Sequence, residues 1–176
     1  MSEARFNKVA FHSYIKNALD GRTILHREVI QKVENWMDSG KYGLLLMGSI
    51  GTGKTTLGWA LRMGWCKFLT VADIKKCDWI AEKVKQDADW VNEIARVKGL
   101  MVLDDLGTES KVWGEESMLP ILYRRIDAWM PTVITTNLNT DQIRERYGER
   151  LIDRLRTFDK IVLNYDSLRG NDTDNH

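Results

Sequence analysis

The chain has 176 residues, 43% of them hydrophobic, with 26 Lys and Arg against 25 Asp and Glu for a net charge of +1. That length suits one domain with a sizeable core, and the near-neutral balance excludes a general pull toward nucleic acid or an anionic membrane, so any DNA contact has to be a local patch. His12, His26 and His176 are scattered, and Cys66 and Cys77 lack a Cys or His partner at metal-ligand spacing, which excludes a zinc-ligand set and leaves two reduced thiols.

Met1-Ser-Glu-Ala-Arg5 has no signal-peptide core, and no apolar run is long enough to span a bilayer, so a cytoplasmic protein with no membrane partner is expected. The first 22 residues are weakly patterned. Val9, Ile15, Ala18 and Leu19 allow a turn and a half of helix, stopped at Asp20-Gly21. Val29, Ile30, Val33, Trp36 and Met37 follow the spacing of an amphipathic helix that ends at Ser39-Gly40. Gly43 to Met47 is apolar throughout, as a parallel strand buried on both faces requires.

That strand runs into Gly48-Ser-Ile-Gly-Thr-Gly-Lys54-Thr55, which matches the G-x-x-x-x-G-K-[ST] phosphate loop. Glycines let the backbone turn with positive φ and approach a ligand without a Cβ. Consecutive N–H groups and the dipole of the next helix then favour an anion. Lys54 is placed to reach the β- and γ-phosphates and Thr55 to hold Mg2+. Leu57, Ala60, Leu61 and Trp65 continue with helical spacing. The residues before Asp20 can pack beside the base of a nucleotide held there.

Phe68 to Val71 reads as a second strand. Asp73 to Lys98 reads as one polar helix with Trp79, Ile80, Val84, Trp90, Val91 and Ile94 buried and Lys75, Lys76, Lys83 and Lys85 exposed. A third strand, Leu100 to Leu103, leads into Asp104-Asp105, then a loop over Leu106 to Lys111. A helix to about Met130 follows, with Pro120 at its start or kinking it and Leu122, Tyr123, Ile126 and Trp129 inward. Thr132 to Thr136 is a fourth strand ending at Asn137. Thr140 to about Arg156 is helical, and Lys160 to Leu163 is a fifth strand. Strands alternating with helices predict a parallel α/β sheet covered on both faces.

Acids at the carboxyl end of a parallel strand lie at the ligand edge of the sheet. In a phosphate-loop protein, Asp104 would hold Mg2+ beside Thr55, and Asp105 could polarise an attacking water. Asn137, ending the next strand at the same edge, can hold that water or touch the γ-phosphate; the alternative is a helix cap. Arg146, Arg150 and Arg154 recur at i+4, so one helix would stack them. Like charges at that spacing are mildly unfavourable unless an anion meets them, and spacing does not choose among the three.

These residues together resemble a known family. The loop Gly48–Thr55, the strand ending Asp104-Asp105-Leu-Gly, Thr135-Thr-Asn137-Leu, the Asp153-Arg154-Leu box and the terminal Asp166-Ser-Leu-Arg169 are similar to the AAA+ ATPase domain of the DnaC/DnaI helicase loaders and the related IstB transposition ATPases. The likeness covers roughly residues 30 to 170. It implies a P-loop NTPase (AAA+) fold with a five-stranded parallel sheet between helices. Because the chain ends soon after Arg169, no full C-terminal helical lid is expected.

The resemblance implies ATP and Mg2+ as cofactors. It assigns nucleotide contacts to Gly48, Ser49, Ile50, Gly51, Thr52, Gly53, Lys54, Thr55 and Thr56, and Mg2+ to Thr55 and Asp104. Asp105 matches the catalytic acid, Asn137 sensor 1, Arg154 the arginine finger and Arg169 sensor 2. A finger acting on a neighbour's ATP implies self-association with Arg154 working in trans. A DnaB-type replicative helicase and single-stranded DNA are the implied partners. Many AAA+ proteins carry Glu where Asp105 stands, so slow hydrolysis is expected. About 40 residues precede the loop strand, which suggests a shortened phage or mobile-element loader. The expected division is an N-terminal segment at 1–25 available to a partner, an ATPase domain at 26–170 and a disordered tail at 171–176. The competing readings are an IstB-like transposition helper, a nucleotide-binding scaffold and a small-molecule kinase.

Overall fold

The computed structural model describes residues 6–19, 25–66, 72–112 and 115–164. Strands β1 (Gly43–Gly48), β2 (Asp73–Lys76), β3 (Met101–Leu106), β4 (Thr132–Thr136) and β5 (Asp159–Leu163) form one parallel sheet in the order β2-β3-β4-β1-β5. The expected five-stranded parallel α/β architecture is therefore present. The order places β4 between the strand that ends in the phosphate loop and the strand that ends in the two acids. Side chains at the end of β4 are thus interposed between loop and acids.

Alternation along the strands divides the core in two. Leu44 and Leu46 face one side with Val102, Val133, Ile161 and Leu163. Leu45 and Met47 face the other with Met101, Leu103 and Ile134. Each such fully buried side chain contributes about 1.5–3 kcal/mol. The first face is covered by α1 (Lys8–Leu19), α2 (Arg27–Asp38) and α3 (Lys54–Gly64). The buried stripe of α2 is Val29, Val33, Trp36 and Met37, and the Trp36 Nε1–H donates to the Gly43 carbonyl at 3.0 Å. Helix α1 runs for three turns rather than one and a half. It buries Phe11 and Ile15 against α3, and Phe6 sits between the rings of Trp36 and Trp65 at 5.4 and 5.1 Å.

The second face carries α4 (Cys77–Gln86), α5 (Trp90–Ala95), α6 (Met118–Asp127), α7 (Thr140–Tyr147) and α8 (Glu149–Leu155). Several expectations change here. Residues 73–76 form β2 and not the start of a helix; an edge strand pairs on one side only and need not be apolar. The strand expected at 68–71 lies outside the described residues. The long helix breaks after Gln86, where the Asp87 carboxylate accepts from the Asp89 N–H at 2.9 Å and offers the backbone a turn instead. The helix after the acids starts only at Met118, with Pro120 in its first turn, where no N–H is needed.

That helix stops at Asp127, and Trp129, expected inward, is 64% exposed with φ 55. Finally, Gly148 at φ 86 separates α7 from α8, so the three arginines do not share one helix. Arg125 is a structural residue that the sequence hides. Fully buried, its guanidinium donates to the carbonyls of Ile94, Val97, Gly99 and Pro131 and to Thr132 Oγ1. Burial lowers its pKa to about 10, so it stays charged at neutral pH. It staples α5, β3 and β4 together at the amino-terminal edge of the sheet, opposite the loop.

Candidate nucleotide site

At the carboxyl edge a cleft of ≈ 440 Å³ is lined by Leu19, Ile50, Gly51, Gly53, Lys54, Thr55, Thr56, Asp105, Thr108 and Asn137. Its floor is the loop between β1 and α3. Gly48 needs its missing side chain, since a Cβ there would lie 2.5 Å from the Leu163 carbonyl oxygen on β5. Gly53, at φ 89, starts α3 in the left-handed region and turns the loop into the helix. Lys54 is 4% exposed, and its ammonium donates to the Gly48 and Ser49 carbonyls at 2.7 Å each. Thr52, fully buried, donates to the Ser49 carbonyl at 2.9 Å. The loop is therefore held in shape by its own lysine. Burial lowers the Lys54 pKa, opposed by the nearby Asp105 and Asp104.

The acids are placed by a bulge. Leu103 pairs with Ile134 and Leu106 with Thr136, so β3 carries one more residue than β4 between those pairs. Asp105 absorbs the irregularity at φ 59, a strained conformation for a residue with a side chain. Regular alternation would turn adjacent acids to opposite faces. With the bulge, Asp105 lines the cleft while Asp104, 1% exposed, accepts from the Thr55 hydroxyl at 3.0 and 3.2 Å. Burial raises the Asp104 pKa, and the hydrogen bond from Thr135 works against that rise.

Thr135 is a site residue that its sequence context does not single out. Fully buried on β4, its hydroxyl donates to Asp104 at 2.7 Å and accepts from the Asp105 N–H at 2.9 Å. One side chain thus fixes both acids. Two threonines ending a wholly buried strand must find partners. Thr136 finds the Leu106 carbonyl at 2.6 Å.

Asn137 lines the cleft and does not cap α7. Asn139 is the cap, accepting from the Gln142 N–H at 2.9 Å in a reciprocal capping box. Behind the cleft, Arg146 donates to the carbonyls of Gly107 and Glu109 and pairs with Glu116 at 3.3 Å. Buried Glu109 accepts from the Tyr147 hydroxyl and the Gly107 N–H. This network clamps the loop after the acids, including Thr108, onto α7. Arg146 is committed to its own chain. Arg150 stacks 5.0 Å from the Tyr123 ring, and Arg154 lies 4.6 Å from the same ring, paired with Asp127. Arg154 precedes β5 directly, which puts it at the amino-terminal edge of the sheet, away from its own loop. Arg169 lies outside the described residues.

A cleft ringed by a glycine loop, a lysine and the start of α3 suits an oligophosphate. Thr55 and Asp104 offer hard oxygens within hydrogen-bond distance of each other, which fits Mg2+. Among the described residues no group of three or more His, Cys, Asp or Glu could hold a metal unaided, so phosphate and water must complete any such shell. No described helix is long and apolar enough to cross a membrane.

No family model matches the chain. It is similar to the replicative helicase loader DnaC of Escherichia coli (strain K12), 29% identical over 151 residues that cover 80% of this chain and 61% of the relative. The chain thus spans about 61% of the length of the curated relatives it matches. Among solved structures, the DnaC helicase loader superposes with TM-score 0.68 at 21% identity, over 81% of this chain and 92% of that one. DnaI gives 0.67 at 23%, over 87% and 94%. The replication initiator DnaA bound to AMPPCP and single-stranded DNA gives 0.60 at 18%, over 94% and 48%. At these identities the structural likenesses speak for the fold. Sequence and fold point the same way: this chain is similar to the DnaC-type helicase loaders and shares the AAA+ P-loop fold of the solved DnaC and DnaI structures.

Proposed function

We propose that the chain binds ATP with Mg2+ in the cleft, hydrolyses it slowly, and acts as a helicase loader in DNA replication. The observation that carries this is the Thr55–Asp104–Thr135 hydrogen-bond chain across β4, which joins the phosphate loop to both acids. Lys54 would turn from the loop carbonyls to the β- and γ-phosphates. The metal, held by Thr55 and Asp104, would neutralise charge on those phosphates. Asp105 would orient and polarise the water. Its carboxylate reaches one methylene less far than a Glu, which favours slow turnover. Asn137 would touch the γ-phosphate or that water, and Leu19 would border the base. Arg169 would complete the site as the resemblance suggests.

Arg154, on the opposite edge, would serve the ATP of a neighbouring copy. For single-stranded DNA the described surface offers Trp79, 37% exposed, with the Lys75 and Lys83 ammoniums 5.1 and 5.6 Å from its ring. Stacking plus cations is the mode that suits unpaired bases. The partner implied by similarity is a DnaB-type helicase. Phosphate release measured with single-stranded DNA, duplex DNA and the host's replicative helicase tests the reading. Stimulation by the helicase and single strands is expected; stimulation by duplex alone would contradict it and favour the transposition helper.

A further inference from the structure

Arg154 is held in a way that no site described above requires. Its Nε donates to Asp127 Oδ1 at 3.0 Å and its Nη2 to Oδ2 at 3.3 Å, while the guanidinium carbon lies 4.6 Å from the Tyr123 ring centre. The carboxylate thus occupies one edge of the fork and the ring one side of its plane. Nη1 has no hydrogen-bond partner among the described residues. A side-on pair of this kind fixes the plane of a guanidinium and leaves the other edge free for a planar anion.

Two facts argue against a purely structural role. The Asp127 side chain is 58% exposed, and ion pairs at such positions contribute little to folding. Asp127 also ends α6, where a negative charge opposes the helix dipole, so the helix itself gains nothing from it. Arg150 stacks on the same ring but has no carboxylate holding it among the described residues, and Arg146 is consumed by Gly107, Glu109 and Glu116.

We infer that Asp127 and Tyr123 are positioning residues for Arg154: they hold its guanidinium by one edge and one face and present Nη1 to a phosphoryl oxygen of ATP bound to a second copy of this chain. This rests on the proposed ATPase reading and its finger in trans. The rotational freedom of the arginine is already lost before assembly, so the γ-phosphate meets a fixed donor instead of a mobile one.

The test uses the full chain with ATP, Mg2+ and single-stranded DNA. Arg154→Ala should lower kcat about 10³-fold, and Asp127→Ala about 10- to 100-fold, the usual scale for removing a residue that orients a working group. In both, KM for ATP and nucleotide affinity of the monomer should stay unchanged. Asp127→Glu should recover part of the loss. Mixing Asp127→Ala with Lys54→Ala should restore activity, because the Lys54 variant still donates an intact finger; mixing Asp127→Ala with Arg154→Ala should not. If Arg154→Ala loses turnover while Asp127→Ala keeps it, the positioning role is overturned and the finger survives. If Asp127→Ala weakens ATP binding, or is not rescued by Lys54→Ala, its effect is on the fold and the inference also fails. If Arg154→Ala itself retains full turnover, the finger in trans falls, and the positioning role with it.

Discussion

Replacing Thr135 by Val keeps the shape of a β-branched side chain on β4 and removes only the hydroxyl. Two bonds go with it. The donation to the Asp104 carboxylate at 2.7 Å is charge-assisted, and such bonds contribute about 1.5–3 kcal/mol. The Asp105 N–H, now bonded to Thr135 Oγ1 at 2.9 Å, would lose its partner in a half-buried position at a cost of about 1 kcal/mol or more. A valine methyl in an apolar setting returns a fraction of this. The expected net loss is about 2–4 kcal/mol, or roughly 5–15 °C in Tm for a chain of this size.

Function should suffer separately from stability. The Thr135 hydrogen bond holds the Asp104 pKa down against burial, so without it the carboxyl protonates at higher pH. Mg2+-dependent nucleotide affinity should then fade at a higher pH than in the parent protein. Scanning calorimetry and nucleotide titrations across pH read the two effects. Thr135→Ser, which restores the hydroxyl, should recover most of both. A valine variant melting within about 2 °C of the parent, with the same pH profile, would refute the bridging role.

Asp104 gives a prediction whose sign follows from linkage. Burial raises its folded pKa above 3.8, so between those values the unfolded chain is the more ionised and stability falls as pH rises. Asp104→Asn should flatten that dependence, raise Tm of the nucleotide-free protein at neutral pH and abolish Mg2+-dependent nucleotide binding; a lower Tm would contradict it. Arg146→Ala should cost about 3 kcal/mol, because it leaves the buried Glu109 without its cation and Glu116 with only Lys111 at 3.8 Å; a loss under about 1 kcal/mol in denaturant unfolding would mean that the clamp is idle. Trp79→Ala should weaken single-stranded DNA binding by about 1–3 kcal/mol at fixed salt, read by titration, whereas unchanged affinity would move the DNA path elsewhere.

The sheet and the loop were legible because their signals are short-range. An all-apolar run before Gly48 and helical spacing after Lys54 leave little room for another reading. The loop strand, the acid strand and Thr132–Thr136 appear where the spacing puts them, to within three residues. What was not legible depends on contacts distant in sequence. Whether 73–76 is helix or strand is decided by β3, which pairs with it. The bulge that splits Asp104 from Asp105 exists only relative to β4. Thr135 looks like strand filler until the order β3-β4-β1 sets it between loop and acids. Arg125 looks solvated beside Arg124, yet four carbonyls converge on it from three segments. Gly148 stands between α7 and α8, so Arg146 lies on one helix and Arg150 and Arg154 on the next, although i+4 spacing alone would stack all three.

Titration calorimetry of MgATP into the purified chain and its Lys54→Ala variant bears most directly on the central claim. The parent should take up one MgATP per chain, more weakly when Mg2+ is chelated, and the variant should show no measurable binding. An absence of heat in the parent, or equal affinity in the variant, would mean that the cleft at the carboxyl edge is not a triphosphate site.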